Sequence, residues 1–407
     1  MMKPRILIII AFILCAIGVL AFERQDRKRP SATAKSIEQQ NTSPTKAGAT
    51  QAALNSEKFS TTAEGWREAT AGYPFSFPRD HASHPPYKVE WWYYTGNLET
   101  SSGRRFGYQL TFFRTGVALQ PASASRWAVR DLYMAHFCIS DIEQKRFYSF
   151  EKLNRAGVGF AGAEENSYRV WNEDWQARLD GKDHLITARD DAAELELRLT
   201  PEKPEVIHGE NDISQKGSTV GNASHYYSLT RLRSTGRITI GGETFEVTGL
   251  SWMDREFSSS FLEAGQVGWD WFSIQLEDGR DLMIYQFRRS DGSIDIHSSG
   301  TLIDASGRAT HIPYNEFTLQ PTGAMWQSDS SATYPVEWTI DLPKYNLNLK
   351  VAAAFTNQEL RTTGSTNVTY WEGSVNIEGT SIGQRVKGHG YLEMTGYSGK
   401  SMSDVFQ

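Results

Sequence analysis

Large apolar residues in this chain come in short bursts of nearly continuous or alternating bulk, punctuated by turn-forming residues, and long helical periodicities are hard to find. Residues 89–98 read as a strand with big side chains on both faces, and residues 106–114 return from the turn at Ser101-Ser102-Gly103 to pair with it. The same events recur roughly 180 residues later. Residues 269–277 turn at Asp278-Gly279-Arg280 and return through 282–288, and each returning strand holds a Tyr-Gln pair (Tyr108-Gln109, Tyr285-Gln286). Such a repeat predicts two copies of one β unit side by side. Further short strands at 131–141, 155–163, 167–179, 185–189, 193–200, 300–304, 316–321, 334–341, 347–354, 369–378 and 388–396 are spaced as in meandering antiparallel barrels. The pattern predicts an all-β protein with two similar domains, at 66–262 and 263–407.

The beginning of the chain differs. Lys3 and Arg5 precede an apolar run at 6–22. This reads as an export segment over 1–22, either a cleaved signal peptide or a retained membrane anchor, so the protein is expected in the periplasm or outside the cell. Residues 23–65 are polar, without apolar period, and read as a linker that cannot bury enough surface to fold. The abundance of aromatics, 12 Trp, 17 Tyr and 20 Phe, agrees with strands. A net charge of -6 with no basic block inside the folded region argues against nucleic acid as a partner. Of the two cysteines, Cys15 lies in the apolar run, so Cys138 has no partner in the mature chain.

Candidate chemistry concentrates at 217–257, two strand-like runs joined by Gly241-Gly242. Trp252, Asp254 and Glu256 alternate, which puts them on one strand face. A hairpin through the two glycines brings His225, Tyr227, Trp252 and Asp254 into one neighbourhood, with Tyr226 also across the hairpin. A carboxyl buried among Trp and Tyr has its ionised form disfavoured, so it stays protonated near neutral pH and can donate. Aromatic faces would stabilise a cation formed by protonating an alkene. The bland alternative is that Asp254 and Glu256 pair with Arg231, Arg233 or Arg255.

Elsewhere, Glu90 shares a face with Trp92 and Tyr94. It is either a cavity carboxyl with a raised pKa or an ion-pair partner at a barrel rim. His136 is a hydrogen-bonded core residue or lines the ligand site, and nothing near Cys138 would activate it. Asp80, His81 and His84 could offer metal ligands but sit in a Pro-rich loop where capping roles are commoner, so no metal and no cofactor is expected. Neither a Gly-x-Ser-x-Gly elbow nor a His-Glu-x-x-His motif occurs.

Several strings, in order, carry a family resemblance: Glu90-Trp91-Trp92-Tyr93-Tyr94-Thr95-Gly96-Asn97-Leu98, Gln109-Leu110-Thr111-Phe112-Phe113-Arg114, Met134-Ala135-His136-Phe137, Ala223-Ser224-His225-Tyr226-Tyr227-Ser228, Trp252-Met253-Asp254-Arg255-Glu256, Tyr370-Trp371-Glu372-Gly373 and Gly390-Tyr391-Leu392-Glu393-Met394. They resemble the AttH-like family, often called secreted hydrolases, whose relatives include the carotenoid 1,2-hydratases (hydroxyneurosporene synthases). The resemblance implies two tandem lipocalin-like barrels packed against each other and an apolar, isoprenoid or polyketide-like substrate. It also implies an aspartate that protonates a double bond with help from a histidine and aromatics, here Asp254, His225, Tyr227 and Trp252. Glu90, Trp92, Tyr94, His136, Tyr226 and Glu256 are the expected substrate-binding residues. Two functions follow: an exported hydratase- or hydrolase-type proton-transfer enzyme, or a non-catalytic carrier of a hydrophobic ligand.

Overall fold

The computed structural model describes residues 60–260 and 262–399, so the apolar run at 6–22, Cys15 and most of the polar stretch 23–65 lie outside the described residues. One sheet is built from β1 (Val89–Glu99), β2 (Arg105–Gly116), β3 (Asp131–Asp141), β4 (Arg146–Arg155), β5 (Ala161–Ala163), β6 (Arg169–Asn172), β7 (Trp175–Asp180), β8 (Asp183–Arg189), β9 (Ala193–Pro201), β10 (Val206–Ile207), β11 (Ser214–Gln215), β12 (Ala223–Ile240) and β13 (Glu243–Ser258). Its strand order is β4-β3-β2-β1-β13-β12-β9-β8-β7-β6-β5, with β10 and β11 added to β12. The sheet curls until its ends meet, where Asn154 on β4 donates to Asn172 on β6 at 2.8 Å.

The second sheet takes β14 (Gln266–Leu276), β15 (Asp281–Arg289), β16 (Ser299–Ile303), β17 (Ala309–Pro313) and β18 (Thr318–Pro321). After a separate ribbon of β19 (Met325–Gln327) and β20 (Thr333–Pro335), it resumes with β21 (Glu337–Leu342), β22 (Leu347–Ala353), β23 (Glu359–Arg361), β24 (Thr369–Ser381) and β25 (Gln384–Met394). Its order is β17-β16-β15-β14-β25-β24-β22-β21-β18, with β23 added to β24. The two ends, β17 and β18, are joined by a single 3-10 turn at Tyr314–Glu316, so this sheet also closes. The protein is all-β, with two near-barrels in tandem.

From β4 through β7 the first order matches the second strand for strand, with β6 and β5 left over: β1 corresponds to β14, β2 to β15, β13 to β25 and β12 to β24. The Tyr-Gln pairs do not mark this repeat. Tyr108 lies opposite Gly96 and points into the first barrel, where it donates to Ser251 at 2.7 Å. Tyr285 lies opposite Trp271 and points out of the second. The equivalent cross-strand pairs are Trp91 with Phe113 and Trp269 with Phe287.

Each barrel has its own apolar core, around Trp92, Tyr94 and Phe137 in the first and around Phe272, Trp338 and Trp371 in the second. Side chains alternate along a strand, so the other face of β1, β12 and β13 is left to meet the other face of β14, β15 and β25. There Tyr93, Tyr226, Trp252, Trp271, Tyr285 and Tyr391 form a third buried cluster. Both faces of β1 are therefore covered, which accounts for bulk at every position. Each ring so buried contributes on the order of 2 kcal/mol.

The hairpin of β12 and β13 turns on Gly241 and Gly242, with φ of 58° and 87°, positive values that a two-residue hairpin turn requires and a side chain resists. From that turn the pairing runs evenly from Ile240 with Glu243 to Leu232 with Ser251. A β-bulge at Thr230 and Arg231 then shifts the register, so that Leu229 meets Met253, Ser228 meets Asp254 and Tyr226 meets Glu256.

Candidate active site

Between the two outward sheet faces lies a cavity of about 140 Å³. The first barrel gives it Trp91, Tyr93, Tyr226, Asp254 and Glu256, and the second gives it Trp269, Trp271, Tyr285, Phe287 and Glu393. The wall is aromatic, with three carboxylates and one amine, Lys216, set into it.

Asp254 is 5% exposed. One carboxylate oxygen accepts the Tyr226 hydroxyl at 2.6 Å, and the other accepts the Trp252 indole N–H at 2.6 Å and the Ser228 hydroxyl. Burial is the largest influence and pushes this carboxyl up to about 7; the hydrogen bonds from Ser228, Tyr226 and Trp252 oppose it, and the nearby Glu256 adds to it. The group is therefore about half protonated at neutral pH, as an acid donor needs. From the other barrel the Trp271 indole donates to the Tyr226 hydroxyl at 3.0 Å and fixes its orientation.

Behind Ser228 stands His208, with Nε2 at 2.6 Å from the Ser228 hydroxyl and Nδ1 at 2.8 Å from the Thr301 hydroxyl. Burial, with Lys216 and His311 nearby, holds this imidazole at about 3, so it is neutral and has one donor and one acceptor nitrogen. When Asp254 is ionised, Ser228 donates to it. When Asp254 is protonated, the same hydroxyl can turn, accept from Asp254 and donate to His208. Glu256, the third member of the carboxylate row, is bound by Lys216 at 2.9 Å and by the Ser224 hydroxyl. Burial works to lower the Lys216 pKa, but Glu256, Tyr285 and Asp254 outweigh it, and the amine stays charged.

The profile of the AttH-like family matches residues 68–397. This chain belongs to the AttH-like family. An AttH protein from Nitrosomonas europaea, known as a crystal structure, is 34% identical with a TM-score of 0.73, covering 81% of this chain and 99% of that one. Kievitone hydratase from Nectria haematococca shares the fold at 14% identity and a TM-score of 0.63, covering 85% of this chain and 100% of its own. The dehydratase asqC of Emericella nidulans is 22% identical over 182 residues, 42% of this chain. This AttH-like chain spans about half the length of that curated relative, 50%.

Of the residues expected at the site, the AttH-like fold brings Asp254, Trp252, Tyr226 and Glu256 together. It corrects the placing of five others. His225 and Tyr227 alternate with Tyr226, and the bulge turns them to the opposite face with Arg255 and Phe257. His225 packs against Tyr73 and Phe257, its Nε2 at 3.1 Å from the Tyr87 hydroxyl, and burial holds it at about 3. The Tyr227 hydroxyl donates to the Asp80 carbonyl at 3.0 Å and lies 2.7 Å from His81 Nδ1. Glu90, Trp92 and Tyr94 also face inward.

Glu90 is clasped by Arg114 at 2.6 Å and by Arg255. Burial favours its neutral form, yet those guanidinium groups and His84 outweigh burial and hold the carboxyl well below the usual range, which removes it as an acid. Trp92 donates to the His81 carbonyl at 2.8 Å, and the Tyr94 hydroxyl lies 2.8 Å from His184 Nδ1. His136 lies at the seam, 2.8 Å from the hydroxyl of Tyr370, which lines the cavity. The feared arginine pairs of Asp254 do not form: Arg231 binds Asp281 at 2.6 Å, Arg233 binds Glu202 at 3.2 Å, and Arg255 binds Glu90.

The loop of Asp80, His81 and His84 is a polar plug on the first barrel, with His84 at 3.1 Å from Asp80 and 3.3 Å from Glu90. Among the described residues Glu263, Asp295 and His297 could hold a metal ion, but Asp295 is already bound by Arg289 at 2.6 Å, and none of the three lines the cavity. Sequence reasoning missed His208, Ser228, Lys216, Trp271 and Glu393 as site residues. His208 sits in a short polar loop that no local pattern distinguishes. Trp271 and Glu393 belong to a different barrel, which adjacency in sequence cannot reveal.

Proposed function

We propose that this chain is an exported hydratase- or dehydratase-type enzyme for an apolar, isoprenoid- or polyketide-like substrate held between its barrels, with Asp254 as the acid. The single observation that carries this reading is a carboxyl at about 7 that lines an aromatic cavity and accepts the hydroxyl of Tyr226 from the same wall. In hydration the Asp254 O–H proton passes to one alkene carbon and the π pair forms the new C–H bond. The cation on the other carbon is flanked by Trp271 and Tyr93 of the cavity wall, whose faces attract positive charge. Water adds there and its surplus proton leaves to a carboxylate, so atoms and charge balance; dehydration is the reverse. That the Emericella relative is a dehydratase agrees with this reaction class. Export and attachment to a membrane rest on the apolar run at 6–22.

The test uses the total apolar extract of the expressing cells, incubated with the protein in water enriched in oxygen-18. A component that gains the label with wild-type protein and not with Asp254→Asn supports the reading. Equal labelling by both proteins removes Asp254 as the acid. A molecule that co-purifies unaltered with both marks a carrier instead.

A further inference from the structure

The strand-for-strand repeat assigns every residue around Asp254 a counterpart in the second barrel. Asp254 lies opposite Tyr93 on β1 and Ser228 on β12; Glu393 lies opposite Trp271 on β14 and Glu372 on β24. Glu393 is thus the positional equivalent of Asp254, Glu372 of Ser228, and Trp271 of Tyr93. The two first-strand aromatics cross over. Trp271 donates to Tyr226 beside Asp254 at 3.0 Å, and Tyr93 donates to Glu372 beside Glu393 at 2.7 Å. Asp254 and Glu393 line the same cavity from opposite sheets.

The second set differs in one respect that bears on chemistry: a carboxyl stands where the first set has a hydroxyl. Glu372 is fully buried, and its oxygen not bound to Tyr93 meets no donor among the described side chains other than its neighbour Glu393. Two adjacent buried carboxylates cannot both ionise cheaply, so a proton between them satisfies that oxygen. We propose that Glu393, backed by Glu372, is the second proton-transfer group of the cavity, facing Asp254 across the bound substrate.

This deepens the hydration reading and rests on it. In hydration Asp254 protonates the alkene, water adds to the cationic carbon, and Glu393 removes the surplus proton from the added oxygen. Asp254 is then ionised and Glu393 protonated, and exchange with solvent restores both. Glu372 touches no substrate; it positions Glu393 and keeps a proton beside it. The groups around the pair are Asp254 and Glu256 on β13, Lys216 paired to Glu256, Tyr93 on β1, Tyr370 on β24, Tyr391 on β25 and Cys138 on β3. Burial raises both members: Glu372 well above the carboxylate range, where the charge of Glu393 adds to it, and Glu393 to about 7, where the Trp269 indole and Glu372 oppose it.

Dicyclohexylcarbodiimide tests this without knowledge of the substrate. It adds across a protonated carboxyl in an apolar site and rearranges to a stable N-acylurea, with no by-product. The full-length protein is treated at pH 6 and pH 8.5 and mapped by peptide mass. Glu393 is expected to be modified at pH 6, at least threefold less at pH 8.5, and equally in wild type and Asp254→Asn. In Glu372→Gln the modification of Glu393 at pH 6 should fall, because the amide oxygen is taken by the Tyr93 hydroxyl and the NH₂ left facing Glu393 donates to its ionised form. A Glu393 that stays unmodified at pH 6 while Asp254 is modified overturns the proposal, and modification unchanged in Glu372→Gln overturns the pairing. In the oxygen-18 assay Glu393→Gln should lose turnover on the order of 100-fold at unchanged KM. Turnover within about threefold of wild type overturns the second role and leaves that of Asp254 standing. Modification as expected with no turnover by the wild type sinks the hydration reading instead.

Discussion

Asp254→Asn should make the protein more stable at alkaline pH and slightly less stable in acid. The carboxyl moves from 3.8 unfolded to about 7 folded. A raised carboxyl binds its proton more tightly in the folded state, so its stabilisation is complete below about pH 4 and is lost as pH rises through 7. Three units at about 1.4 kcal/mol each make that loss about 4 kcal/mol. Asparagine carries no charge to bury. It keeps an acceptor for Trp252 and Ser228 but presents an amide to Tyr226, whose hydroxyl loses its acceptor at a cost of about 1 kcal/mol. The variant should therefore be about 3 kcal/mol more stable than wild type at pH 8 and about 1 kcal/mol less stable at pH 4. Urea unfolding followed by tryptophan fluorescence at the two pH values measures both differences. Glu372 and Glu393 titrate in both proteins and cancel. A difference independent of pH would mean that Asp254 is ionised throughout, and the acid role would fall with it.

Three further outcomes follow from the geometry. His225→Phe should keep turnover within about threefold, since His225 lies on the far side of the sheet, and a loss beyond about 100-fold would restore it to the chemistry. Ser228→Ala removes a donor that lowers the Asp254 pKa, so the midpoint of the pH-dependent stability change in the urea series should move above 7; an unmoved midpoint refutes the bond's influence. Glu90→Gln leaves Arg114 and Arg255 buried without their shared carboxylate and should cost about 3–5 kcal/mol at neutral pH, seen as a lowered Tm; a loss under about 1 kcal/mol would show the pair to be compensated elsewhere.

Alternation and turn chemistry made the all-β class, the two paired hairpins and the shared face of Trp252, Asp254 and Glu256 legible, because these depend on neighbours close in sequence. Which side chains cross the hairpin to Asp254 was not legible. An even count from Gly241-Gly242 pairs Asp254 with Leu229 and so puts His225 and Tyr227 on its face. One residue of shift exchanges them for Tyr226 and Ser228. The residues of the bulge, Thr230 and Arg231, carry no glycine or other mark of irregularity. Glu372 and Glu393 stood in plain view in the sequence, but their meeting depends on the pairing of β24 with β25, and their approach to Asp254 on the packing of two barrels.

That packing also explains why the bulge persists. A bulge leaves backbone groups outside the ladder, and here the second barrel satisfies them. The Gln275 amide donates to the Thr230 carbonyl at 2.7 Å and to the Ser251 carbonyl at 2.9 Å, so one side chain bridges both strands of the hairpin at the irregularity. Asp281, fully buried, accepts the Thr230 hydroxyl at 2.9 Å, the Arg231 guanidinium at 2.6 Å and the Lys203 amine at 2.7 Å. The second barrel therefore does more than roof the cavity. It holds the register that selects which phenol and which hydroxyl meet the acid, and it supplies Trp271 to orient that phenol and Glu393 to face it. A first barrel alone would retain Asp254 in sequence, but without Gln275 and Asp281 the bulge that turns Tyr226 and Ser228 toward it would lose the contacts that satisfy its backbone and side chains. The tandem arrangement is on this argument a condition for the site.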